Sequence, residues 1–102
     1  MLSFPPLEAW DKQLQAVNFL ALRDGKSVLC SIAREVLERH FGPRAREFPM
    51  ECFHEHRAEI EAIAGRLIAD GRVALNRSLV IGEGDAAAPG GRTAREGAAL
   101  VP

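Results

Sequence analysis

The longest helical alternation of apolar and polar positions runs over residues 49–71 (PMECFHEHRAEIEAIAGRLIADG). At 100° per residue, Phe53, His56, Ile60, Ile63, Ala64 and Leu67 fall on one side, while Glu55, Ala58, Ala62 and Arg66 lie opposite. The spacing predicts one uninterrupted amphipathic helix with a single buried face. Pro49 at its first position, Glu51 in its first turn and Gly71 after Asp70 fit its start and stop. A second pattern, of period two, fills residues 17–32. Val17, Phe19 and Ala21 alternate before Asp24-Gly25, and Val28, Cys30 and Ile32 alternate after it, which is the pattern of a type I′ hairpin. Such a turn sets Arg23 opposite Lys26, Ala21 opposite Val28, Phe19 opposite Cys30 and Val17 opposite Ile32, so the apolar members share one face. The other face carries Asn18, Leu20, Leu22, Ser27, Leu29 and Ser31. Leu20 and Leu29 oppose each other there, an apolar pair for the N-terminal arm or another subunit to cover.

Shorter signals fill in the rest. Residues 33–41 predict a helix with Val36, Leu37, His40 and Phe41 on one side, ending at Gly42-Pro43 and starting at Ala33, which has no side-chain oxygen for capping. Pro5 and Pro6 exclude a central strand from residues 1–11, which read as an arm with an edge strand at residues 2–4. Trp10 in this arm reads as a plug over the edge of the core, with a ligand platform as the functional alternative. Residues 73–75 lead into a third strand at 78–81, with Leu79 and Ile81 facing one way and Val80 the other. From residue 84 the chain is rich in Gly, Ala and Pro and is expected to be disordered. The expectation is an α+β domain over residues 1–83, ordered β-β-α-α-β, with a tail at 84–102. Two helices pack on the Val17/Phe19/Ile32 face, and the third strand is placed beside the first strand of the hairpin.

Composition narrows the function classes. With a net charge of -1 over 102 residues, the molecule as a whole has no field to draw nucleic acid or an acidic membrane surface. A fold of this length has a modest core, to which a partner can add support. Cys30 and Cys52 lack ligand spacing and sit at apolar positions, which suggests buried free thiols in a reducing compartment. No segment reaches the roughly 20 apolar residues of a membrane span, and no secretory leader is legible, so a soluble cytoplasmic protein is expected.

Candidate chemistry is sparse. In His54-Glu55-His56 the imidazoles diverge by about 200° on a helix, and Ala58 stands where H-E-x-x-H needs its second His, so no metal site or cofactor is expected. His56, on the apolar face, reads as a hydrogen-bonded core histidine or, alternatively, as a binding group. Arg57 flanks that face and is in reach of the hairpin or the arm, with Asp11 as a partner, or of a ligand carboxylate. Cys52, in the first helical turn, is either a buried thiol or one of lowered pKa. Ser27, Ser31 and Ser78 lack a nucleophile turn, and no catalytic residue is assigned. Arg39, Arg44 and Arg46 form a basic cluster, read as a solvated loop neighbouring Glu38 and Glu47 or as a phosphate or acidic-partner site. Ala58, Ala62, Gly65 and Ala69 make a stripe of small residues suited to close approach by helix 33–41 or by a second copy of the central helix.

Taken in order, Val17-x-Phe19-x-Ala21, Asp24-Gly25, Val28-x-Cys30-x-Ile32, Leu37, Phe41-Gly42, then Phe53-x-x-His56-Arg57-x-x-Ile60-Glu61 and Ala64 resemble the bacterial family known as domain of unknown function 1488, over residues 4–85. The resemblance implies a compact α+β bacterial domain and lends no catalytic residue. Its pattern places a Ser cap where Ala33 stands, which implies a looser helix start here. The leading functional expectation is a non-enzymatic interaction or accessory domain, partnered by itself or by another protein. A nucleic-acid regulator using Arg39, Arg44 and Arg46, and an enzyme or small-molecule site around His56, Arg57 and Cys52, are the alternatives.

Overall fold

The computed structural model describes residues 1–87, an α+β domain in which helices pack on one side of a five-stranded sheet. The strands are β1 (Leu2–Ser3), β2 (Glu8–Asp11), β3 (Ala16–Arg23), β4 (Lys26–Ala33) and β5 (Ser78–Ile81). The helices are α1 (Arg34–Phe41), α2 (Pro49–Glu55), α3 (Arg57–Ala69) and α4 (Glu83–Ala87), with a 3-10 turn at Pro43–Arg46.

β3 and β4 form the hairpin in the register that the Asp24-Gly25 turn requires, from Arg23 opposite Lys26 to Val17 opposite Ile32. Asp24 and Gly25 both have positive φ, 52° and 82°, as a type I′ turn demands. Val17, Phe19, Ala21, Val28, Cys30 and Ile32 are all buried, and Phe53, Ile60, Ile63, Ala64 and Leu67 pack over them. Phe19 and Phe53 meet with ring centroids 5.2 Å apart.

Three expectations are corrected. The third strand is not beside the first strand of the hairpin: β5 runs parallel to β4, with Cys30 opposite Leu79 and Ile32 opposite Ile81. The outer edge of β3 is already taken, because the arm folds back twice along it as β1 and β2. β4 holds the free edge, and the chain reaches it by crossing the helical face. The central helix is also not continuous. It breaks at His56, whose φ of -112° and ψ of 23° leave the helical region, into segments of 7 and 13 residues. A straight helix over that length measures about 32 Å. The twisted sheet beneath it is only about 26 Å long for eight-residue strands, so the break keeps both segments on the core. Finally, the tail expected from residue 84 overlaps α4, in which Ala86 is buried and the Asp85 carboxylate accepts the Gly82 N–H at 2.9 Å. The remainder of that stretch, residues 88–102, lies outside the described residues.

α1 begins at Ala33 without a side-chain cap, as its sequence implies, and ends where the Gly42 N–H donates to the Leu37 carbonyl. Among the described residues no helix is long and apolar enough to cross a membrane.

Candidate functional site

The densest polar cluster forms where the helix break meets the arm. Arg57 opens α3, and all three arms of its guanidinium donate. Nε donates to Glu61 Oε2 at 2.7 Å, Nη1 to Glu8 Oε1 at 2.7 Å, and Nη2 to the Pro5 carbonyl at 3.2 Å. The guanidinium lies over the Phe53 ring, 5.5 Å from its centroid. The second Glu8 oxygen pairs with His54 Nε2 at 2.8 Å. Glu8 sits on β2 opposite Phe19 and is only 13% exposed. Its carboxyl is held below the ordinary 4.5, first by the Arg57 hydrogen bond acting against desolvation, with His54 assisting. Arg57 is pushed up in turn, chiefly by Glu8 and then Glu61, so the pair is ionised together.

This arrangement is a strut. A guanidinium whose three nitrogens are committed within the chain has little left for a ligand carboxylate, and Glu8 is too acidic a carboxyl for proton transfer near neutrality. The partner expected for Arg57, Asp11, is corrected to Glu8. Asp11 turns toward its own loop instead, accepting the N–H groups of Gln13 and Leu14 at 3.0 Å each and Asn18 Nδ2 at 3.1 Å. Sequence reading missed Glu8, and weighed His54 only as a metal ligand. The available signal was Arg57 and Glu61 at i and i+4, a pair whose remaining donors require a second acceptor.

His56 is not a core residue. At the break it is 30% exposed, with Nδ1 on Glu59 Oε1 at 2.8 Å and its ring 5.3 Å from Phe41. His54 and His56 thus serve different acids. Cys52 is buried, and its thiol is raised by burial and by Glu55 rather than lowered by the helix start. Cys30 is pushed by burial up to about 11, and both thiols are free.

The basic cluster is dispersed into ion pairs. Arg39 meets Glu83 at 2.9 Å, Arg44 meets Glu51 at 2.9 Å and Glu55 at 3.4 Å, and Arg46 reaches Glu38 at 4.0 Å. Each cation faces an acid, a pattern unlike the unopposed charge that phosphate recognition uses. In the small stripe, Ala58, Ala62 and Ala69 are exposed, whereas Gly65 lies under the arm: a Cβ there stands 3.2 Å from Leu2 Cδ2. The neighbour at Gly65 is therefore the arm, while α1 faces Ala62 across a cavity of about 480 Å³ lined by His40, Phe41, Glu59 and Arg66.

On the far side of the sheet, Leu29 is 49% exposed and Val80 68% exposed, with Leu20 and Leu22 half-buried between polar neighbours. The arm shelters part of this face, where Pro6 and Leu7 border a shallow pocket with Leu20 and Leu29.

Residues 2–77 match the family described as protein of unknown function (DUF1488). Two proteins described as uncharacterized protein YrdB, from Shigella flexneri and Escherichia coli K12, are each 33% identical over 69 residues, covering 68% of this chain and 81% of theirs. A crystal structure of a protein of unknown function from the DUF1488 family of Shewanella loihica PV-4 superposes with a TM-score of 0.68 at 27% identity, over 78% of this chain and 90% of that one. The α+β architecture, the hairpin register and the match over residues 2–77 agree with one another, and the chain belongs to the DUF1488 family.

Proposed function

We propose that this domain is a non-enzymatic interaction module of the bacterial cytoplasm that pairs with a second copy of itself through the open face of its sheet. One observation carries the reading: among the described residues helices cover the sheet on one side only, and the other presents Leu20 directly opposite Leu29, with Leu22 next along β3 and Val80 diagonal to Leu29 on β5. Between them stand Asn18, Ser27, Ser31 and Ser78, all uncharged, and the acid at the rim of this face, Asp11, is bonded to Asn18 and to its own loop, so the centre of the face carries no like charge to oppose two copies. The two free buried thiols support a reducing compartment.

Size sets the strength. Two strands of about 26 Å and two of about 13 Å, at a spacing of about 4.8 Å, give a patch on the order of 400 Å² per copy. About 800 Å² in total lies below the range of stable specific interfaces, so the dimer is weak, with a Kd in the micromolar range or above. The small stripe is the poorer candidate because Leu2 covers its Gly65.

Sedimentation equilibrium over micromolar to millimolar protein tests the proposal. The wild-type chain is expected to dimerise across that range, and Leu29→Lys, at a half-exposed site, to stay monomeric with an unchanged melting temperature. A wild-type monomer throughout, or equal association of the variant, overturns it.

A further inference from the structure

A second surface, on the helical side of the molecule, is built from three segments far apart in the chain. Trp10 of β2, Lys12 and Gln15 of the following turn, Arg34 at the start of α1, and Phe48 to Glu51 at the start of α2 enclose an open groove of about 540 Å³. Its apolar lining is Trp10, Phe48, Pro49 and Met50. Phe48 is 46% exposed, and Trp10 and Met50 are only partly buried against the core. The charges along it are unbalanced. Among the described residues Lys12 and Arg34 have no carboxylate partner, and Arg46 has only Glu38 at 4.0 Å. The acid Glu51 is already engaged by Arg44 at 2.9 Å, which leaves Glu47 as the opposing charge. Arg39, Arg44 and Arg57 are closely matched to acids, and Arg66 and Arg23 donate to the Asp85 and Ile68 carbonyls, so two cations without such partners among the described residues, beside an exposed aromatic surface, set this groove apart.

We infer that this groove binds a short acidic segment of a partner protein, with an aromatic or aliphatic side chain seated between Trp10 and Met50 and carboxylates on Lys12 and Arg34. Charge complementarity selects an anionic occupant, and arginine suits carboxylates because its planar fork presents paired donors. Openness selects a peptide. Small-molecule sites bury most of their ligand, whereas a groove open along one side receives an extended chain whose other face stays in water.

Trp10 is the single tryptophan of the sequence, so its fluorescence reports on the groove directly. The probe is the acetylated and amidated peptide Glu-Asp-Phe-Asp-Leu-Glu, titrated into the full chain, with a version carrying Lys at every acidic position and with N-acetylphenylalanine amide as controls. The acidic peptide is expected to shift the Trp10 emission saturably below about 1 mM, the Lys version to have no effect, and the small amide to bind at least tenfold more weakly. Arg34→Ala and Lys12→Ala, with melting temperatures within about 2 °C of wild type as for ordinary surface changes, should each weaken the acidic peptide several-fold. No emission change up to that concentration overturns the inference. So does equal binding of the Lys version, saturation by the small amide at the same concentration, or displacement of the peptide by a DNA duplex.

Discussion

Arg57 shows how much of this fold rests on one side chain. It joins α3 to the arm through Glu8 and the Pro5 carbonyl while covering Phe53. Truncation leaves Glu8 at 13% exposure with His54 alone. Arg57→Ala is therefore expected to cost about 2 kcal/mol, from the loss of partly buried charge-assisted bonds. For a domain of this size that is a fall in Tm of about 8 to 16 °C by calorimetry. Arg57→Lys should recover little, because one ammonium does not reproduce a fork spanning three acceptors. The Glu8 carboxyl lies below its ordinary 4.5 in the folded state, so its contribution is complete above that value and is lost as pH falls through the folded pKa. Denaturation of Glu8→Gln beside wild type, from pH 7 to pH 3, should show the stability gap narrowing below about pH 4.5; a constant gap contradicts the ionised pair. Burial raises both thiols, so neither Cys30 nor Cys52 should react with a thiol reagent at neutral pH until denaturant is added. Rapid labelling of Cys52 in the native protein speaks against that environment.

The elements differ in how plainly the sequence announces them. The hairpin was legible to the residue because turn chemistry and period-two alternation state the same register independently: Asp24-Gly25 fixes the pairing, and the buried row from Val17 to Ile32 agrees with it. The Asp24-Gly25 turn also gives a clean stability test. Gly25 has φ of 82° and open space where a Cβ would sit, so Gly25→Ala should cost about 1 kcal/mol from backbone strain alone, read by urea denaturation. The buried face of the central helix was legible too, but its break was not, since a helical period continues in the sequence through His56 while the twist of the sheet beneath decides where the axis bends. β2 escaped notice because its inward positions, Glu8 and Trp10, do not alternate as apolar and polar residues do; Glu8 is acceptable there only with Arg57 opposite, a long-range fact. The site of β5 likewise follows from which edge the arm leaves free, which no local pattern encodes. The same limit applies to Lys12 and Arg34, ordinary surface cations in sequence that meet Trp10 only through the fold.

At the scale of the whole molecule, the described residues build one layer of helices on one layer of sheet and leave the second sheet face covered only in part, by the arm. A domain this small has little apolar surface to spare, and Leu29 and Val80, both exposed, are the surface on which the proposed pairing rests. The charge pattern agrees: the basic side chains read as a solvated loop or, alternatively, as a nucleic-acid patch are spent on Glu83, Glu51, Glu55 and Glu38, whereas the open face is uncharged along β3, β4 and β5. That face and the Trp10 groove occupy opposite sides of the sheet, so occupation of one leaves the other accessible. The most direct measurement is an isotope-filtered NOE experiment on a mixture of labelled and unlabelled protein at millimolar concentration. The account predicts intermolecular contacts among the methyl groups of Leu20, Leu29 and Val80; contacts confined to helix residues such as Ala58 and Ala62, or no intermolecular contacts, would contradict it.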